Sequence, residues 1–305
     1  MAWAFILLLS TVATGADAPA ANKKPELSYT QHQNIVFAEQ DGVGLLMDIF
    51  TPTGASNGLA IVDVASGSYF SSRDKLNDHK KARMFDIFCG KGYTVFAVRP
   101  GSRPKYSLPE MLENVHTGIR WVKAHAKEYN VDPDRLGLTG ASAGGHLCSL
   151  AAVTPQAADP SARDLLAKFD TRVRAVVAFF PPSDFLNYGA KELSPESVRT
   201  VSPLFGDILF PGGIKNQTNE EIFEAVAKLS PARQVTSDAP PFLLFHGTAD
   251  FLVPIKQSKL FLAALKEKGV PAELIIKQGG GHPWPTIHEE VQVAADWFDS
   301  QLAGK

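Results

Sequence analysis

The chain has 305 residues, 45% of them apolar, with 30 Lys and Arg against 32 Asp and Glu for a formal net charge of −2. That length holds one large α/β domain or two small ones, with material for a sizeable core. A near-neutral balance with no basic stretch interleaved with aromatics speaks against a nucleic-acid partner, and the two cysteines, Cys89 and Cys148, are too few for a disulfide framework.

In chain order, residues 2–12 are apolar except for Ser10 and Thr11, and Ala13-Thr14-Gly15-Ala16 supplies small residues for cleavage. The stretch predicts a secretory signal peptide over 1–16, hence a secreted or periplasmic protein. The competing reading is a short membrane anchor, but the run is too short to span comfortably, so no stable membrane insertion is expected. Residues 17–30, with Pro19, Pro25 and Lys23-Lys24, predict a flexible lead-in to a single domain over 31–305.

Asn34–Ala38 and Leu45–Phe50 predict two strands joined by a Gly-containing hairpin connection. Leu59–Ala65 predicts a strand, Leu76–Cys89 a helix, Tyr93–Val98 a strand, and Leu108–Tyr129 a long helix with Met111, Leu112, Val115, Ile119 and Val122 on one stripe. Further strands are predicted at Arg135–Thr139, Val173–Phe180, Phe242–Phe245 and Ala272–Lys277. Helices are predicted at 145–153, at Ile255–Lys268 and over about 285–302. Nearly continuous apolar strands alternating with helices predict a mostly parallel sheet covered on both faces, with the first hairpin at one edge. The helices carrying Cys89 and Cys148 then fall on opposite faces, leaving two buried free thiols. Residues 181–241 interrupt the rhythm before the penultimate strand. Such an excursion either covers a pocket or forms a surface insertion with its own small core.

Between the strand at Arg135–Thr139 and the next helix stands Gly140-Ala141-Ser142-Ala143-Gly144. This is the strand–turn–helix setting of a nucleophile elbow, in which glycines flank a serine on a turn too tight for a Cβ. A serine hydroxyl needs a base to take its proton, and the base needs a third group to fix its tautomer. Asp250 follows the penultimate strand and His282, among Gly279, Gly280 and Gly281, follows the last. The competing readings for the acid are Asp250 as a helix cap and Asp184 as the acid instead. His146 reads as a support of the elbow, His116 and His125 as helix residues, and His32 and His79 as surface. Donors for a developing oxyanion are the Ala143 amide and the amide of Ser68 or Tyr69, in the loop after the third strand. Phe70 and Trp284 are candidate substrate contacts. No spacing such as H-E-x-x-H or C-x-x-C occurs, so neither a metal nor a cofactor is expected.

These segments, with Arg99-Pro100-Gly101-Ser102-Arg103-Pro104-Lys105-Tyr106, Val131–Gly137, Pro181-Pro182-Ser183-Asp184-Phe185, His246–Asp250 and Val253-Pro254, resemble the α/β-hydrolase superfamily over nearly all the mature length. More narrowly, the chain resembles secreted bacterial esterases near the hormone-sensitive-lipase and acetyl/feruloyl xylan esterase (BD-FAE-like) group. The resemblance implies an α/β-hydrolase fold with an eight-stranded, mostly parallel sheet, and Ser142, Asp250 and His282 as a triad in the family's order. It also implies a small-molecule or carbohydrate ester as substrate. The oxyanion loop departs from the family's usual H-G-G-G or S-G-G-W, reading Ser66-Gly67-Ser68-Tyr69. The expected function is a serine carboxylic ester hydrolase. A prolyl-oligopeptidase-like peptidase is the alternative, although no propeller repeat precedes the domain. A binding protein on a hydrolase scaffold is a third reading.

Overall fold

Strands that are apolar at nearly every position need cover on both faces, and the chain supplies it with helices between them. The computed structural model describes residues 27–201 and 205–303. Its strands are β1 (Tyr29–Gln40), β2 (Val43–Pro52), β3 (Ala60–Val64), β4 (Thr94–Val98), β5 (Leu136–Ala141), β6 (Ala175–Phe179), β7 (Phe242–Gly247) and β8 (Ala272–Lys277). They form one eight-stranded sheet in the order β1-β2-β4-β3-β5-β6-β7-β8. The pairs β1/β2 and β2/β4 are antiparallel and all others are parallel. Every residue of β3, β4, β6 and β7 is buried.

Helices α1 (Arg73–Lys81), α2 (Met84–Gly90) and α7 (Ile287–Leu302) cover one face. Helices α3 (Leu108–Ala124), α4 (Ala143–Val153), α5 (Asn219–Lys228) and α6 (Lys256–Glu267) cover the other. Alternation along the strands divides the core accordingly: Val62 and Val64 of β3 pack into one half, Ile61 and Ala65 into the other. Cys148 and Cys89 lie buried and free in opposite halves, as expected. Burial, with Asp86 nearby, pushes the Cys89 thiol up to about 12, which leaves it unreactive.

Three boundaries differ from expectation. The predicted helix 76–89 is two helices, because Arg83 takes a left-handed φ of 57° that ends one and turns the chain into the next. The helix predicted to reach Tyr129 stops at Ala124, where the His125 ring nitrogen Nδ1 donates to the Trp121 carbonyl at 2.8 Å. Strand β1 begins at Tyr29, inside the predicted lead-in, because the Tyr29 ring packs edge-on to Phe50 at 5.0 Å. Of the two readings of 181–241, the separate small core does not form: Val198, Ile208, Leu209, Ile222 and Val226 join the half beneath α3 and α4. The predicted signal peptide and the rest of the lead-in lie outside the described residues, as does Leu204.

Two histidines in that half make the fold sensitive to acid. Burial pushes both His116 and His146 down to about 4. The unfolded chain takes up protons on them below its ordinary value near 6.5, so stability falls as pH drops from about 6.5 toward 4, by roughly 3 kcal/mol for each. Burial also acts on His79, but Asp63 beside it raises its affinity for the proton overall, which offsets part of this loss. The urea midpoint is expected to drop between pH 7 and pH 4.5, and to drop less in His116→Leu. An equal drop in both proteins contradicts the assignment.

Candidate active site

The parallel strands end at one edge, and the loops after β3, β5, β7 and β8 meet there, beside the point where β3 and β5 send the chain in opposite directions. The turn from β5 into α4 puts Ser142 at φ 55°, ψ −120°, a conformation an L-residue adopts only under constraint. A Cβ on Gly140 would stand 2.5 Å from the Gly144 carbonyl, and one on Gly144 would stand 2.1 Å from the Val64 oxygen. The Gly144 amide donates to Ser66 O and the Ser142 amide to Phe179 O, both at 2.9 Å, which ties the elbow to the loops on either side.

The Ser142 hydroxyl lies 2.8 Å from His282 Nε2, and His282 Nδ1 lies 2.6 Å from Asp250 Oδ2. The Ala249 amide donates to Gly280 O at 2.9 Å and so joins the acid loop to the histidine loop. Asp250 is a loop cap as well as the acid partner: its Oδ1 accepts the amides of Leu252 and Val253 at 3.0 and 2.9 Å. Burial alone would raise the Asp250 carboxyl, but bonds from the neighbouring imidazoles and the Val253 amide hold it well below the usual carboxylate range. His246 stands behind it, with Nε2 2.8 Å from Val253 O and 3.5 Å from Asp250 Oδ2, so its proton goes chiefly to the carbonyl. An ionised Asp250 only accepts, so His282 carries its hydrogen on Nδ1 and offers the Nε2 lone pair to Ser142. The His282 ring packs on Phe180, with ring centroids 4.4 Å apart.

The rival acid is engaged elsewhere. Asp184 accepts from the Leu186 amide at 3.1 Å and from Arg233 Nε at 2.8 Å. His146, expected to support the elbow, is buried beneath it and donates Nε2–H to Leu229 O at 2.7 Å.

After β3, Gly67 and Phe70 exchange two backbone hydrogen bonds at 2.9 Å around Ser68 and Tyr69, whose φ values are 49° and 63°. This tight reverse turn has the handedness that glycine or asparagine usually supplies, and two ordinary residues there cost about 1–2 kcal/mol each. Among the described residues, the amides of Ser68, Tyr69 and Ala143 have no acceptor. The Tyr69 ring packs edge-on to His146 and Phe205, and its buried hydroxyl has no partner.

Ser142 and His282 open into a cavity of about 780 Å³. Tyr69, Tyr188 and Phe205 line one part of it, and Phe180, Trp284 and Ile287 another. Trp284, a candidate substrate contact, lines the cavity, and its Nε1 donates to Glu290 at 2.7 Å. Phe70 is a correction: it closes the Gly67–Phe70 turn, is 45% exposed and does not line the cavity. His79 is a second correction. It is buried, not at the surface, because its Nδ1 bonds Asp63 Oδ2 at 2.7 Å, and it lines the cavity. The available signal was an aspartate in the otherwise apolar run Leu59–Ala65.

A serine on the turn after β5, an acid after β7 and a histidine after β8 of such a sheet define an α/β-hydrolase fold. Solved structures share it: a carbohydrate esterase from gut microbiota has a TM-score of 0.73 at 24% identity, with 92% of this chain and 99% of that one covered. An acetyl ester-xyloside bifunctional hydrolase from Caldicellulosiruptor lactoaceticus has a TM-score of 0.70 at 22% identity, covering 92% and 98%. Within that fold the chain belongs to the BD-FAE family, whose model matches residues 47–265. A probable carboxylic ester hydrolase of Mycobacterium tuberculosis, LipM, is 34% identical over 223 residues, 70% of this chain and 49% of the relative. The chain spans half or less of the length of the first curated relatives it matches. Among the described residues no helix is long and apolar enough to cross a membrane.

Proposed function

We propose that the chain is a serine carboxylic ester hydrolase acting through an acyl-enzyme on Ser142. The observation that carries this is the unbroken line from Asp250 through His282 to Ser142, at 2.6 and 2.8 Å. Ser142 Oγ attacks the ester carbonyl carbon while its proton passes to His282 Nε2, and Asp250 orients the ring and stabilises the imidazolium. The Ala143 amide and that of Ser68 or Tyr69 receive the oxyanion. Collapse breaks the carbon–oxygen bond to the alcohol, which leaves with the proton from Nε2. Water then attacks the acyl-enzyme, giving its proton to Nε2, and the acid departs as Ser142 regains its hydrogen.

Short acyl groups on carbohydrate are the preferred substrates. Two structural neighbours, a carbohydrate esterase and an acetyl ester-xyloside bifunctional hydrolase, support that choice. Residues 1–16 support export to a secreted or periplasmic location. An acyl series from 4-nitrophenyl acetate to octanoate, with feruloyl esters alongside, tests the substrate class. The expected result is kcat/KM falling by about tenfold or more from acetate to octanoate, since even one methylene that the pocket does not fit is worth roughly 1–3 kcal/mol. A preference for octanoate contradicts the carbohydrate-ester reading.

A further inference from the structure

Asp63 stands in the middle of β3 with its side chain fully buried, between apolar neighbours on the strand. A carboxylate in that position is costly unless paired, and its partner is His79 of α1, with Nδ1 2.7 Å from Asp63 Oδ2. The carboxylate accepts, so Nδ1 carries a hydrogen; burial opposes a second proton, but Asp63 outweighs it and favours the imidazolium, in which Nε2 also carries a hydrogen and donates. Among the described residues Nε2 has no partner, while His79 borders the cavity that holds Ser142. None of the steps proposed above uses this pair.

One turn earlier on the same face of α1, Lys75 borders the same cavity. Its side chain crosses Gly67, with Cδ 2.7 Å and Nζ 3.3 Å from where a Cβ would stand, so the ammonium reaches the turn that carries Ser68. The charged residues bordering the cavity beside the histidines are Lys75, Lys81, Arg103 and Asp78. Asp78 is shared between Lys75 at 3.0 Å and Lys81 at 3.3 Å, which leaves donors on Lys75 unused. Arg103 is paired with Asp207. The wall around His79 therefore holds more positive than negative charge.

We propose that Lys75 and His79 form an anion subsite in the active-site cavity, which holds a carboxylate carried by the ester substrate away from the scissile bond. The carboxylate belongs either to the acyl portion, as in a dicarboxylate half-ester, or to the alcohol portion, as in an acetylated uronic acid. The choice of substrates rests on the ester-hydrolase reading, but the binding step does not.

Two substrate pairs separate the sources: mono-4-nitrophenyl succinate against 4-nitrophenyl butyrate, and acetylated galacturonic acid against acetylated galactose. The expected result is a preference of about tenfold to a hundredfold for the charged member of one pair, the worth of a charge-assisted hydrogen bond. Lys75→Met is expected to lower that ratio about tenfold. Lys75 is used because its side chain is partly exposed, whereas removing His79 strands the buried Asp63. Binding is read separately by nuclear magnetic resonance on Ser142→Ala protein, where succinate shifts the His79 ring signals and butane-1,4-diol does not. A preference absent from both pairs, or unchanged by Lys75→Met, overturns the subsite. If no ester of either pair is turned over, the hydrolase reading fails, and the absence of a succinate-induced His79 shift overturns the subsite independently.

Discussion

Ser142→Ala is expected to lower kcat for 4-nitrophenyl acetate by on the order of 10⁶, with KM close to that of the wild type and the melting temperature unchanged. The loss is large because, among the described residues, the hydroxyl is the only nucleophile bonded to His282 Nε2, at 2.8 Å. Stability is spared because, among the described residues, the side chain makes no other hydrogen bond, while the backbone contacts of residue 142 to Phe179 and His146 remain. Alanine also tolerates the positive φ no worse than serine. Steady-state rates and a thermal melt on the same preparations check both halves. A variant retaining more than about 1% of wild-type turnover would sink the acyl-enzyme mechanism and return weight to a binding protein on this scaffold.

The two orphan amides of the Ser68–Tyr69 turn explain why the departure from the family's glycine-rich loop is compatible with an oxyanion hole. The turn needs two left-handed residues, which glycines adopt freely and which Ser68 and Tyr69 adopt under strain. The Gly67–Phe70 bridge closes the turn, and Ser66 O, bonded to the Gly144 amide, anchors it to the elbow. Chemistry at this position belongs to the main chain, so a change of side chain leaves the donors in place.

What the sequence made legible were features with short-range causes. Continuous apolar strands announced a parallel sheet, and Gly140 and Gly144 announced a turn without room for a Cβ. Asp250 and His282 lay just past strands whose ends had to share one edge. What it concealed depended on contacts distant in the chain. Asp63 and His79 are sixteen residues apart on different elements, and only the packing of α1 against β3 turns a polar residue in a strand and a histidine on a helix into a buried pair. Phe70 fell in the right loop, but the two-residue turn before it aims it away from the cavity. The segment 181–241 was legible as a pocket cover, and Phe205 does border the cavity, but nothing in it showed that Ile208 and Ile222 complete the main core.

Asp250→Asn is expected to cost about 10⁴ in kcat while leaving the fold nearly as stable. Asparagine keeps an oxygen where Oδ1 caps the Leu252 and Val253 amides, so the loop holds its shape. The atom facing His282 becomes an amide that donates. Nδ1 must then accept, the ring hydrogen moves to Nε2, and Ser142 meets an N–H instead of a lone pair. Asp250→Ala removes the cap as well and is expected to lower the melting temperature in addition to activity. The acid limb of the wild-type rate profile carries no contribution from Asp250, since its carboxyl is held well below the usual range and stays ionised there. Asp184→Asn is the control, because Asp184 is bound to Arg233 and the Leu186 amide, not to His282. Near-wild-type rates in Asp250→Asn, with collapse in Asp184→Asn, would transfer the acid's role to Asp184. The opposite result, with the two variants differing by about 10⁴ in kcat at similar melting temperatures, assigns it to Asp250.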